Sequence, residues 1–181
     1  MTPLMTRAMM AGLLLLMACN PAFNWREVRP DNTGLTLLLP CKPDQAQRSV
    51  PLGGQPTELA MLGCDAGGAT FAIAVATLAA PGEAGQVSAA LAGWQTATLT
   101  HIKAGAEQVT LLKVPGAALQ PQAVRVRATG QRADGSAVQS QAAYFAQGRQ
   151  VFQAVIYADQ ITPEVAETFF SSLKLAAGSP R

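Results

Sequence analysis

The chain has 181 residues, 49% of them hydrophobic and 13% charged, with a formal net charge of +2. Soluble domains average roughly 25% charged residues, and a disordered chain needs high charge and few apolar residues, so disorder is excluded. No concentrated basic patch is available for nucleic-acid phosphates, and a single histidine argues against His-rich metal sites and His-based acid–base chemistry.

The first element is an address. Arg7 supplies a positive start, and residues 8–18 are an uncharged apolar run. Its length fits the roughly 7–15 residues of a signal-peptide core and falls short of the ~20 that span a bilayer as a helix. Leu16-Met17-Ala18-Cys19 resembles the lipobox of bacterial lipoproteins. That resemblance implies cleavage of residues 1–18, a diacylglycerol on the Cys19 thiol, and an acyl chain such as palmitate on the new amino group. The competing reading is an ordinary secretory signal with a chance cysteine. Several acyl chains on one residue anchor durably, because each buried CH₂ adds ~0.8 kcal/mol. Asn20 follows the cysteine where the enteric sorting rule puts Asp for inner-membrane retention, so the expected location is the outer membrane facing the periplasm. Residues 19–24 form the lipidated end and a short tether, whose residues 20–24 reach at most ~18 Å. One domain is expected over residues 25–175, with a tail at 176–181.

Cys41 and Cys64 remain in a compartment that permits disulfides. Thiol redox chemistry favours C-x-x-C spacing, and structural zinc wants about four Cys or His ligands nearby. A Cys41–Cys64 disulfide is therefore expected; it would close a loop of about 24 residues worth ~3 kcal/mol in the loop-entropy model.

Along the domain, residues 25–29 read as a short opening strand and 35–39 (LTLLL), stopped by Pro40, as a buried one. A weaker strand at 48–52 turns through Gly53-Gly54 into 57–63, and Asp65-Ala66-Gly67-Gly68 is a strong turn signal before a strand at 70–78. There Phe71, Ile73 and Val75 share one face and Ala72, Ala74 and Ala76 the other. Two apolar faces predict a central strand with a helix lying closely on the alanines. The helix is predicted at 87–103, with Val87, Leu91, Trp94, Thr98 and Ile102 as its buried stripe. Extended structure resumes over 107–114. The alternating strand 123–129 puts Val124 and Val126 inward and Arg125 and Arg127 outward. Strands at 138–146 and 150–158 follow, separated by Gln147-Gly148. A closing helix has Thr162 as N-cap, Pro163 at its first position and Glu164 at its positive end, with Val165, Phe169 and Leu173 as its apolar stripe. The pattern is α+β: a largely antiparallel sheet of about 6–8 strands with a mid-chain and a C-terminal helix packed on it.

This element order, with LTLLLP at 35–40, Leu112-Lys113-Val114-Pro115-Gly116 before two hairpins and Phe169-Phe170-Ser171-Ser172-Leu173 near the end, is similar to the PsbP/Mog1-like α/β/α sandwich. That group includes uncharacterised bacterial envelope lipoproteins. The resemblance spans roughly residues 25–175 and implies binding and assembly roles, with no catalytic residues to carry over. The acidic clusters of a Ran-type partner surface are missing, so a GTPase role is not implied.

The search for chemistry yields little. His101 lies near a helix C-terminus, which the helix dipole explains, and no Gly-x-Ser-x-Gly nucleophile motif accompanies it. Gly53-Gly54 and residues 63–68 lack the Lys and following helix of a phosphate loop. Glu164 and Glu167 read as a solvated helix face. Arg125 and Arg127, about 6.5–7 Å apart on one strand face, form a possible anion-binding pair for a carboxylate, phosphate or lipid headgroup. The plainer reading pairs them with Gln139 and Gln141. Trp94 is expected in the core, and Phe23 and Trp25 either dip into lipid or cover the core's end.

The expectation is thus a non-enzymatic envelope lipoprotein, without catalytic residue, cofactor, metal or nucleic-acid partner. It is held at the membrane through its anchor and binds an envelope protein. A small-ligand or lipid-headgroup binder is the alternative, and an envelope hydrolase the least favoured. A partner binder should show an apolar patch or an open sheet edge, a ligand binder a formed pocket with convergent polar groups. Fifteen glutamines and little charge give weak long-range steering, so a partner is met by proximity.

Overall fold

The structure, a computed structural model, describes residues 22–52, 54–79, 84–119 and 121–177. The expected signal peptide, lipobox and Cys19 lie outside the described residues, as do Gly53 and residues 178–181 of the expected tail.

In chain order the elements are β1 (Arg26–Val28), β2 (Leu35–Leu39), β3 (Asp44–Leu52), β4 (Gln55–Ala66), β5 (Ala69–Thr77), α1 (Ala84–His101), β6 (Ala106–Leu111), β7 (Val124–Gln131), β8 (Ala137–Gln147), β9 (Gln150–Ala158), α2 (Pro163–Ser171) and β10 (Lys174–Leu175). Seven strands form one sheet in the order β3-β4-β5-β9-β8-β7-β6, antiparallel at every step. Two meanders therefore meet at the central strands β5 and β9, and α1 carries the chain from the centre to the far edge. β1, β2 and β10 make a separate three-stranded sheet. The architecture is α+β.

The central strands alternate between two cores. Phe71, Ile73 and Val75 of β5 join Phe152, Ala154 and Ile156 of β9, the leucines of β2 and Phe169 and Phe170 of α2. On the opposite face Ala74 and Ala76 meet Val87, Ala90, Leu91 and Trp94 of α1, with Val151 and Val155 beneath the same helix. The small alanines let the helix lie close, as their spacing predicts. Phe71, Phe145, Phe152, Phe169 and Phe170 are fully buried, each such side chain contributing roughly 1.5–3 kcal/mol. Gln153 crosses the α1-side core, its amide donating to Thr98 Oγ1 at 2.7 Å and to the Tyr144 hydroxyl at 3.0 Å.

Turn chemistry sets the hairpins. Gly67 and Gly68 have φ of 58° and 75° between β4 and β5, the left-handed region that a two-residue hairpin turn demands and that glycine enters freely. Thr162 caps α2, its hydroxyl accepting from Val165 N–H, with Pro163 in the first turn and Glu164 at the positive end. Helix α2 is shorter than expected. It stops at Ser171, so Leu173 packs beyond the helix, and the buried stripe is Ala166, Phe169 and Phe170. Ser172 makes the stop: its hydroxyl donates to Phe169 O at 2.6 Å and accepts from Leu38 N–H at 2.9 Å, which ties α2 to β2.

Other boundaries also differ. β3 begins at Asp44 rather than 48 and β4 runs to Ala66 rather than 63, because pairing with a neighbour extends strands whose outer halves lack apolar alternation. Helix α1 starts at Ala84 and ends at His101. Past its end Lys103 takes φ 49° and Ala104 N–H reaches Leu99 O at 2.9 Å, a left-handed termination usually given to glycine.

Candidate functional site

The expected arginine pair is divided by what covers it. Arg125 and Arg127 do share a face of β7, the face opposite Val126, but α2 lies over one and not the other. Arg125 is 5% exposed, so its expected outward position is corrected: period-two geometry assigns the face, while α2 decides the burial. Its Nη1 donates to Glu167 Oε1 at 2.7 Å, Nη2 and Nε donate to Gln141 Oε1, the former at 2.5 Å, and the guanidinium carbon sits 4.4 Å from the Phe170 ring centre. A cation over an aromatic face is attracted by the ring quadrupole. Gln141 is thus the partner the plainer reading named, whereas Gln139 instead accepts from Ile161 N–H at 2.9 Å. Glu167, expected only as a solvated helix residue, is 65% exposed yet closes the buried charge from outside.

Arg127 stays exposed. It lines a shallow polar groove of about 330 Å³ with Gln108, Thr129, Gln139 and Gln141. Its neighbour's donors are already engaged, so the two guanidiniums do not converge on one ligand.

His101 lies at the end of α1, exposed, beside a cavity of about 260 Å³ that it lines with Lys103, Arg132 and Tyr157. None of the lining residues is a carboxylate. Burial pushes the Tyr157 phenol up to about 12, with repulsion from Tyr144 adding to it and the Ser140 hydroxyl opposing it. Among the described residues no cluster of three or more His, Cys, Asp or Glu could hold a metal, and no helix is long and apolar enough to cross a membrane.

Cys41 and Cys64 are joined, with Cα atoms 6.0 Å apart. The bond links the chain just after β2 to β4. Phe23 and Trp25 stack at 5.8 Å and both meet Phe71, at 6.2 and 5.8 Å. They cover the end of the α2-side core.

Among the described residues, the least covered apolar surface lies at the β6 edge. All six residues of β6 are exposed, including Val109 at 48% and Leu111 at 72%. They sit opposite Val126 and Val124, on the α1 face but out of that helix's reach. Leu111 continues into an apolar groove of about 360 Å³ lined also by Val114, Ala117 and Leu119; Leu119 is 87% exposed. Reading 107–114 simply as extended passes over this edge. The available signal is two aliphatics at period two lying beyond any helix stripe that could cover them.

Compared with known proteins, the chain matches no family model and no curated protein. Among solved structures it is similar to a crystal structure of a protein of unknown function from Pseudomonas aeruginosa. The two are 15% identical, with 78% of this chain and 85% of that one covered and a TM-score of 0.35.

Proposed function

We propose that this chain is a non-enzymatic bacterial envelope lipoprotein, anchored through acylated Cys19 at the outer membrane, whose domain binds protein through the β6 edge. The observation that carries the binding reading is that open edge, with Val109 and Leu111 exposed beside an apolar groove. Exposed strand edges pair with other chains by backbone hydrogen bonds, and apolar patches near them add burial. Anchoring draws its support from Arg7, the apolar run and Leu16-Met17-Ala18-Cys19. In favour of a PsbP/Mog1-like domain is the antiparallel sheet with α1 on one face and α2 on the other. The anion-binding alternative needs both arginines, and Arg125 is committed to Gln141, Glu167 and Phe170.

Two measurements test this. Cys19→Ala is expected to move the protein from the membrane to the soluble fraction; retention after a high-salt wash would sink the anchoring half. A photocrosslinking residue at Leu111, used in living cells, is expected to capture protein. The same residue at exposed Gln45 on the opposite edge strand should not. Capture from Gln45 alone would sink the binding half.

A further inference from the structure

The two edges of the large sheet are defended differently. Strand β3 carries Pro51 within it, Asp44 and Arg48 along it, and no side chain larger than alanine among its apolar residues from 44 to 49. Proline, charge and small residues are the usual guards of an edge. Strand β6 has no proline, one charge, and Val109 and Leu111 in the open. Leu112 N–H donates to Ala123 O at 2.9 Å, and the register pairs Thr110 with Arg125 and Gln108 with Arg127. In an antiparallel ladder successive residues alternate between bonding one neighbour and the other. The backbone groups of Glu107, Val109 and Leu111 therefore point to the side on which no described strand pairs.

We infer that the occupant of this edge is a second copy of the same chain, paired β6 to β6 about a twofold axis at Thr110. This rests on the protein-binding reading above and names its partner. A dyad perpendicular to the sheet must match outward-facing residues with one another, which leaves few registers. An axis at Gln108 sets Glu107 against Val109. One at Val109 sets Glu107 against Leu111, and one at Leu111 sets Val109 against Lys113. Only the axis at Thr110 places Val109 on Leu111 of the other copy twice and Glu107 on Lys113 of the other copy twice. Apolar meets apolar and opposite charges face each other, while the threonines meet at the dyad. Glu107 and Lys113 are both exposed, and the α1 faces of the two copies lie on the same side of the resulting continuous sheet.

The register dictates the test. Opposed residues of a non-hydrogen-bonded antiparallel pair have Cα atoms roughly 4.5 Å apart, within disulfide reach. Full-length Thr110→Cys is expected to give a linked dimer on mild oxidation, with residue 110 joined to residue 110 in the mapped peptides. Adding Val109→Lys, at an exposed position, should lower the linked fraction at least tenfold with unchanged circular dichroism. Glu107→Lys and Lys113→Glu should each weaken dimerisation of the otherwise unaltered chain, and the double exchange should restore it. Absence of the 110–110 link in folded protein overturns the inference, as does a link indifferent to Val109→Lys or to charge exchange. If Leu111 then captures other proteins but not this chain, only the second copy is lost. If it captures nothing, the binding reading falls too.

Discussion

The guanidinium of Arg125 is enclosed by Phe170 and Gln141, with Glu167 reaching it from solvent. Truncation leaves Gln141 without its donors and opens a void against Phe170, so Arg125→Ala is expected to cost about 2–4 kcal/mol. Glu167→Ala costs less, about 1 kcal/mol, because water reaches its side of the pair and screens it. Arg127→Ala should stay within about 0.5 kcal/mol. Urea midpoints for the three variants check this ranking, and an Arg125→Ala midpoint equal to that of Arg127→Ala would contradict the buried array. The tyrosines give a second test at this scale. The chain has two; burial raises Tyr144 and pushes Tyr157 up to about 12. The unfolded chain releases phenolic protons near 10, so the folded state holds them more tightly. Stability is then undiminished below pH ~10 and falls as pH rises toward 12. Phenolate absorbance and loss of circular dichroism should climb together over that range. A phenolate signal half developed at pH 10 in intact protein would contradict it.

Between elements, one tight approach joins the end of α1 to β7. The carbonyl of Ile102, just past α1, accepts from Gln131 N–H at 2.6 Å, and a Cβ placed on Gly130 would lie 2.0 Å from that oxygen. Gly130→Ala must push the helix end away and is expected to destabilise by about 1–3 kcal/mol. Gly93 lies in the middle of α1 with nothing within 4 Å of a built Cβ, so Gly93→Ala should stabilise by about 0.5–1 kcal/mol. Opposite signs in denaturant midpoints check the pair. Elements whose own residues carry their reason were readable before folding. Leu35–Leu39, the two-faced β5, the α1 stripe and capped α2 all follow from period, size and end chemistry. Three features were not readable, because their cause lies elsewhere in the chain. The first half of β3 is polar and becomes strand through β4. β10 is held by Leu175 N–H on Pro115 O at 2.8 Å and by Ala176 N–H on Gly34 O at 2.9 Å. Arg125 is buried by a helix some forty residues later.

At the scale of the molecule, two layers meet the sheet from opposite sides, and one covalent bond crosses from the small sheet to the large one. Cys41–Cys64 spans a sequence separation of 23, for which loop entropy assigns about 3 kcal/mol. Replacing both cysteines with serine is expected to lower unfolding free energy by about 2–4 kcal/mol while leaving the exposed β6 edge in place. Chemical denaturation compared with limited proteolysis checks this. An unchanged midpoint would mean that the bond adds no constraint.

The same bond decides how the molecule carries load. Asn24 N–H bonds Pro40 O at 2.8 Å, β1 pairs with β2, and the bridge begins one residue beyond Pro40. Tension applied at residue 22 must peel the aromatic cover and β1 first. Once β2 has also given way, the tension reaches Cys41 and passes directly into Cys64, bypassing residues 42–63. Strand β3 and most of β4 hang from that bypass as a slack loop and cannot be drawn out while the bridge is intact. A protein held by its N-terminal end would thus lose β1 under strain long before it lost the edge of its main sheet.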